Sequence, residues 1–356
     1  MDLTQEGSGW CSDCQNENGS NYWDYSDYWA EMSSAFSHSE LVAVTTLCVP
    51  LLVLGLMGNI LTILVVWLRP QMRSTTYLYL SSMAVSDILM LVLMPLDLYK
   101  VFTHLFTCHL FTCLPLWWYR PWFLGDAVCK LSQFVSECCT FSSILHMTAL
   151  GAERYVGVCF PLRARLLVTR GRVRVLIGAL WGVSVLSAGP VLVLVGAEPV
   201  EGNLTECRVT QWAESSGLMV AMLWLSNLYF IIPLMTLTML YTLIARRLRQ
   251  RRHVHRDQTH RQTLRMMVVI VCVFVVCWLP FHVARTLFCL SLSSSVQVYF
   301  LSQYLNLVSF VLFYCSAAIN PLLYNIMSSR YRDNVRALLR PRTRPLPAPS
   351  PSSTHF

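Results

Sequence analysis

Apolar residues along this chain gather into seven runs of about 20 or more, near 41–67, 76–99, 128–159, 172–195, 216–245, 264–289 and 299–325. Connections rich in Arg follow the first, third and fifth of them. A helix rising 1.5 Å per residue needs about 20 residues to cross a hydrocarbon core of roughly 30 Å. Backbone N–H and C=O groups in hydrocarbon must be satisfied within the segment, so each run predicts a helix and not open sheet. The pattern predicts an all-α membrane protein built as a seven-transmembrane helix bundle.

Composition agrees. Of 356 residues, 55% are hydrophobic and 13% charged, far from soluble averages. Cytoplasmic loops keep the positive charge, which sets the orientation. Residues 1–40 hold no Lys or Arg, while Asp2, Glu6, Asp13, Glu17, Asp24, Asp27, Glu31 and Glu40 make them acidic. With that end outside, Arg69 and Arg73, 163–174, 246–265 and 330–344 all fall on the cytoplasmic side. Only Lys100, Arg120, Lys130, Arg208 and Arg285 of the 27 basic residues stay near the outer side. The net charge of +8 is therefore topology, and no nucleic-acid partner is expected.

The stretch 101–118, VFTHLFTCHLFTCLPLWW, is apolar enough to mimic a further span. An eighth crossing would invert every later loop and put the Arg-rich segments outside, so it is read as an unusually long first extracellular loop at about 100–122. Trp117, Trp118 and Trp122 suit the interface there. Positions 1–38 lack a basic start and an apolar core, so the first helix is expected to direct its own insertion. Asn18-Gly19-Ser20 and Asn203-Leu204-Thr205 are glycosylation sequons on the outer side. Cys129 at the start of the third helix and Cys207 before the fifth lie in an oxidising compartment, where a bridge would persist. Cys11, Cys14, Cys108, Cys113 and Cys289 are also outer or nearly so, and their pairing stays open.

Charges inside a span cost about 2.5–3.5 kcal/mol each on insertion scales and mark candidate sites. Asp87 lies mid-helix. With Asn59, Ser143, Ser316 and Asn320 it forms either an oxygen-rich site suited to sodium or a set of interhelical hydrogen bonds. At the cytoplasmic end of span three, Glu153-Arg154-Tyr155 places an acid where it can hold the guanidinium in one state and release it in another. Pro233, Cys277-Trp278-Leu279-Pro280 and Asn320-Pro321-Leu322-Leu323-Tyr324 each break a helical hydrogen bond at mid-depth, giving hinges on which helix ends can swing.

Together, Asn59, Asp87, Glu153-Arg154-Tyr155, Trp181, Pro233, Tyr241, Cys277-Trp278-Leu279-Pro280, Asn320-Pro321 to Tyr324 and the Cys129 and Cys207 pair resemble rhodopsin-like (class A) G protein-coupled receptors over roughly residues 40–340. The resemblance implies that an agonist outside favours an outward swing of helix six, opening a pocket where Arg154 meets a heterotrimeric G protein. Trp278 and Pro280 would form the switch, and Tyr241 and Tyr324 would stabilise the open state.

Amine receptors of this family carry an Asp on helix three where this chain has Ser136. Glu137 follows it, one to two turns above Ser143. Arg285 lies two turns beyond Trp278 on the same face of span six. Both charges sit in the outer half of the bundle, where an unpaired charge is expensive, so an ion pair across the cavity is expected.

FVSECC, WLPFHVAR, Asp97 in MPLDLYK, 187–198 and 302–332 resemble the ghrelin and motilin receptor branch. The seventh-helix match leans to ghrelin, while LHMTAL at 145–150 looks more like motilin. The resemblance implies a peptide hormone agonist, acylated for ghrelin, in a cavity split by Glu137 and Arg285. Asp97, Gln133, Ser136, Phe281, Gln303, Asn306, Phe310 and Phe313 would line it. It also implies Gq-type coupling with phospholipase C and calcium signalling. Residues 101–116 look like an insertion relative to that branch, at the pocket mouth, and Lys100 stands where ghrelin receptors tend to carry Arg.

Helix six begins with His260-Arg261, where many relatives carry an acid that could tie down Arg154, so ligand-independent signalling is expected. After Tyr324, Tyr331, Val335, Leu338 and Leu339 share a face of a short amphipathic helix on the inner leaflet, with no palmitoylatable Cys following. The Pro-rich tail from 341 is expected to be disordered, with Ser350, Ser352, Ser353 and Thr354 as candidate phosphorylation sites for arrestin. The expected organisation is an acidic extracellular tail at 1–40, a receptor domain at 41–325, a membrane-surface helix at 326–340 and a cytoplasmic tail at 341–356, in the plasma membrane. A transporter should show a repeat of broken helices, a channel a filter, and an enzyme paired catalytic groups at depth; none is evident. No cofactor is expected beyond the possible sodium ion. Motilin and neuromedin-type peptides remain the alternative ligands.

Overall fold

A computed structural model describes residues 38–72, 74–103, 122–200, 204–250, 257–291, 296–327 and 329–339. Asn18, Asn203, loop residues 104–121 and the tail from 340 lie outside the described residues, as do the side chains of Lys100, His260, Arg261 and Tyr324.

Seven long helices cross the bundle: α1 (His38–Leu68), α2 (Thr75–Thr103), α3 (Gly125–Cys159), α4 (Arg170–Ala188), α5 (Leu218–Gln250), α6 (Asp257–Ser291) and α7 (Val296–Met327). An eighth, α8 (Ser329–Leu339), follows α7. Six of the seven are long and apolar enough to cross a membrane. The exception, α3, has 35 residues and buries Ser132, Glu137, Thr140, Ser142, Ser143 and His146. It packs on α2, α4, α5 and the hairpin, so protein and not lipid is its solvent and its polar groups find partners there. The large side chains left exposed, such as Leu54, Met57, Leu186, Trp224 and Met235, lie on α1, α4 and α5 and suit contact with acyl chains.

Pro50, Pro95, Pro233, Pro280 and Pro321 all lie inside helices that continue through them. Each removes one N–H donor and loosens its helix locally. The fourth span reaches Leu194, as its apolar run predicts, but its helix is interrupted near the end. After Ala188 the chain meets Pro190, makes a short turn at Val191–Leu194 and leaves as a strand. The connection before α5, read from sequence only as a loop, is an antiparallel hairpin of β1 (Val195–Val200) and β2 (Leu204–Val209), pairing Ala197 with Cys207 and Glu198 with Glu206. Neither Gly-Ala-Glu-Pro nor Thr-Glu-Cys-Arg reads as strand by propensity; ladder bonds and the anchors described below decide it.

At the opposite end of the bundle, α8 turns its apolar face inward as its pattern predicts. Tyr331 is 2% exposed and packs with Val65, Val66, Met72, Tyr77 and Leu80, while Val335 and Leu338 cover the cluster. Its hydroxyl meets the Thr62 hydroxyl at 2.9 Å. Thr62 gives its own proton to the Gly58 carbonyl, so Tyr331 donates. Burial pushes the Tyr331 hydroxyl above its ordinary range, so it stays protonated and able to donate. Gly58 also lets α7 approach α1 closely, since a Cβ there would stand 2.9 Å from Pro321.

Candidate functional site

At the hairpin end a disulfide joins Cys129, near the start of α3, to Cys207 on β2, with Cα atoms 5.6 Å apart. A second tie stands beside it. The Ala197 N–H donates to Asp126 at 2.9 Å, and Lys130 reaches the other carboxylate oxygen at 2.6 Å. These partners, the Lys130 ammonium first, hold the Asp126 carboxyl below the usual carboxylate range. Trp122 adds a third tie, its backbone N–H donating to Thr205 and its indole N–H to Gly125. The hairpin is thus fixed against α3.

Below it, Arg285 on α6 donates from Nη1 to both carboxylate oxygens of Glu137 on α3, each at 3.0 Å. The same nitrogen lies 3.4 Å from the Ser226 hydroxyl on α5. The guanidinium sits 5.2 Å over the Phe281 ring, adding a cation–π contact. Phe281 stacks on Phe313 of α7 with centroids 5.6 Å apart, and Trp278 meets Phe313 edge-on at 5.6 Å. An ion pair therefore rests on an aromatic floor whose deepest member, Trp278, is 2% exposed.

A second group faces it from α2 and α7. Tyr314 donates to Asp97 at 2.5 Å, and Phe310 meets the Tyr314 ring at 5.0 Å. Gln133 and Ser136 on α3 and Gln303 and Asn306 on α7 are half-buried. The structure thus gathers Glu137, Phe281, Arg285 and Phe313 into one contact set and ties Asp97 and Phe310 to Tyr314. Ser226 and Tyr314 were not legible from sequence: a Ser and a Tyr inside apolar runs carry no signal of their own.

At mid-depth, Asn320 on α7 donates to Asp87 on α2 at 2.8 Å. Asn59 donates to the carbonyls of Gly55 and Ala317. The other oxygens, Asp87 Oδ1 and Asn59 Oδ1, are buried without a hydrogen-bond partner. Ser143 pairs with Ser86 at 2.9 Å, and Ser316 donates to the Phe313 carbonyl. The orphaned carboxylate and amide oxygens are chemically of the hard kind that a cation such as sodium takes.

A further network joins α2, α3 and α4. Trp181 donates to Ser82 at 2.9 Å, Ser82 meets His146 Nε2 at 3.0 Å, and His146 Nδ1 meets the Ser142 carbonyl at 2.7 Å. His146 is fully buried and both ring nitrogens are used, which makes it packing and not a ligand group.

At the α8 end, Glu153 accepts from Thr75 at 2.7 Å and Thr76 at 3.3 Å. The acid therefore holds α2 and not its neighbour Arg154, which is exposed. A Cβ at Gly151, one turn before Arg154, would stand 2.5 Å from Leu237 and 3.3 Å from the Tyr241 hydroxyl. Glycine there lets α5 lie close and brings Tyr241 beside the Arg154 turn. Tyr155 packs with Ile244 and Leu248. The short helix Pro161–Leu167 that follows α3 leaves Leu162 79% and Leu166 74% exposed between arginines, an apolar patch too short to show as a pattern in the sequence.

The arrangement links a largely buried ion pair at one end to an exposed arginine at the other through proline-interrupted helices, which suits transmission of a signal. Residues 58–324 match the 7 transmembrane receptor (rhodopsin family). The chain is 50% identical over 321 residues to the growth hormone secretagogue receptor type 1 of Sus scrofa, covering 87% of this chain and 84% of that one. It is 40% identical to the human motilin receptor, covering 88% and 84%, and 32% identical to the human neuromedin-U receptor 1, covering 81% and 70%. Relatives and fold agree on a multi-pass membrane receptor and not an enzyme. The chain belongs to the rhodopsin family of G protein-coupled receptors, in the branch that holds the growth hormone secretagogue and motilin receptors.

Proposed function

We propose that this receptor sits in the plasma membrane with its N-terminus outside, binds a peptide hormone, octanoylated ghrelin first among them, and activates a G protein of the Gq type to raise phospholipase C activity and calcium. The Glu137 to Arg285 pair is the observation that carries this reading. It stands against the aromatic pair of Phe281 and Phe313, so a ligand entering here would meet charge on one side and rings on the other, a division suited to a peptide that bears an acyl chain. Asp97, Gln133, Ser136, Gln303, Asn306 and Phe310 complete the lining. The sequons at Asn18 and Asn203 agree with this orientation.

On the inner side Arg154, Tyr155 and Tyr241, with Leu162 and Leu166, form the face offered to the G protein; Glu153 and Tyr324 are assigned to the coupling switch from the sequence resemblance. Trp278, Pro280, Asn320 and Pro321 form the hinge between input and output. A sodium ion held by Asp87, Asn59, Ser143, Ser316 and Asn320 would supply one positive charge at mid-depth, stabilising the Asp87 carboxylate. Arrestin binds the phosphorylated tail in this scheme. LHMTAL, the segment closer to motilin receptors, places its distinctive His146 in a buried α2–α3–α4 network, so it speaks to packing and not to ligand choice.

The test is calcium release in cells expressing the receptor, with and without Gq-type subunits, on exposure to octanoylated ghrelin, motilin and neuromedin U. A response to octanoylated ghrelin that vanishes without Gq-type subunits supports the reading. A response confined to another peptide, or one that persists without those subunits, overturns the corresponding part.

A further inference from the structure

Pro280 leaves the residues of α6 beyond it as a separate arm, because its ring removes one helical N–H donor and crowds the preceding turn. That arm carries Arg285. Two side-chain bonds tie it to α5. Ser226, fully buried, lies 3.4 Å from Arg285 Nη1, and the Asn227 side-chain amide lies 3.2 Å from the Thr286 hydroxyl. The Thr286 hydroxyl already donates to the His282 carbonyl at 2.8 Å, so toward Asn227 it can only accept, and the direction of the bond is fixed. Ser226 and Asn227 are adjacent, as are Arg285 and Thr286, so the two bonds fix both the separation and the rotation of the arm.

Glu137 alone does not fix that rotation. A guanidinium on a long, flexible stem can follow a carboxylate through several helix positions. The Asn227 to Thr286 bond joins two short side chains and tolerates far less movement.

We propose that Asn227 and Thr286 are positioning residues that hold the arm of α6 in register, so that Arg285 meets Glu137 across the cavity. This rests on the peptide-receptor reading for its signalling readout, and on the helices alone for its structural one. Nothing in Asn227 or Thr286 need touch the agonist. When the bond is lost, the arm turns more freely and agonist sensitivity falls, while the maximal response is kept because the G-protein face is untouched.

The experiment compares Asn227→Leu, Thr286→Val, their combination and Thr286→Ser, which keeps the hydroxyl. Hydrogen–deuterium exchange of segment 281–291 in lipid nanodiscs is read first, without ligand. Exchange several-fold faster in Asn227→Leu and Thr286→Val, no faster in the double variant, and unchanged in Thr286→Ser is the expected result. At matched surface expression, the half-maximal concentration of octanoylated ghrelin should rise about 5- to 10-fold, corresponding to about 1–1.4 kcal/mol, in each single variant and by no more in the double one, with an unchanged maximum. Unchanged exchange in both single variants, additive effects in the double variant, or failure of Thr286→Ser to behave as wild type overturns the proposal. Wild-type receptor that ignores octanoylated ghrelin but shows the exchange pattern overturns the ligand reading alone and leaves the clamp standing.

Discussion

One nitrogen of Arg285 stands 3.0 Å from each carboxylate oxygen of Glu137, although the two residues are separated by 148 positions along the chain. Removing one partner of a buried pair strands the other and costs about 3–5 kcal/mol. Here the Arg285 side chain is 28% exposed and can turn toward water, so the loss is smaller. Glu137→Gln should lower agonist potency by about 10- to 100-fold, or roughly 1.4–2.7 kcal/mol. Glu137→Arg combined with Arg285→Glu should recover part of what either reversal loses. Calcium dose–response curves at matched surface expression check both. A swap that restores nothing removes the pair as the organising contact.

Asp126 predicts a pH dependence with a definite sign. Its folded-state pKa is depressed by Lys130 and the Ala197 N–H, so its contribution is present above the ordinary carboxylate value and is lost as pH falls through the lowered one. This tie should therefore be constant between about pH 5.5 and 8. Thermal unfolding of the wild type and Asp126→Asn across that range should differ by a fixed offset. A difference that opens on going from pH 8 to 5.5 contradicts the assignment.

Tyr331→Phe removes a buried hydroxyl whose partner, Thr62, keeps its bond to Gly58. The loss should be about 1 kcal/mol. Tyr331→Phe with Thr62→Val should cost little more than the larger single change, because they share one bond. Thermal unfolding in nanodiscs measures this, and simple additivity would show that the two hydroxyls act independently.

If sodium occupies the Asp87 site, it stabilises the receptor by about 1.4 kcal/mol at a concentration tenfold above its dissociation constant. Asp87→Asn, which removes the charge, should abolish the difference in unfolding temperature between sodium and choline chloride. An equal sodium effect in wild type and variant would place the ion elsewhere or nowhere.

The spans were legible because hydrocarbon imposes one rule on every lipid-facing segment, and the polar residues inside them stood out against it. Asp87, Glu137 and Arg285 could be found this way. α3 was recognisable by its motifs although it is the least apolar span, since its solvent is protein. Cys129 and Cys207 could be placed on the same side by topology. The hairpin was not legible: Pro199 and paired glutamates argue against strand, and what fixes it are bonds to Trp122 and Asp126 from 70 or more residues away. Glu153 was expected to hold Arg154 in one state and release it in another; in this structure it reaches Thr75 and Thr76 across a helix interface, partners its sequence neighbours do not announce. Ser226, Asn227, Tyr314 and Thr286 gave no signal, because a lone small polar residue in an apolar run acquires meaning only from the helix opposite.

The most direct test of the account is cell-surface binding of labelled octanoylated ghrelin, set against unacylated ghrelin and motilin, on the full chain and on a chain lacking residues 101–116. Saturable binding that needs the octanoyl group, is displaced weakly by motilin, and falls at least tenfold in Glu137→Gln is the predicted result. Binding indifferent to the acyl chain and to Glu137, with or without residues 101–116, would contradict it.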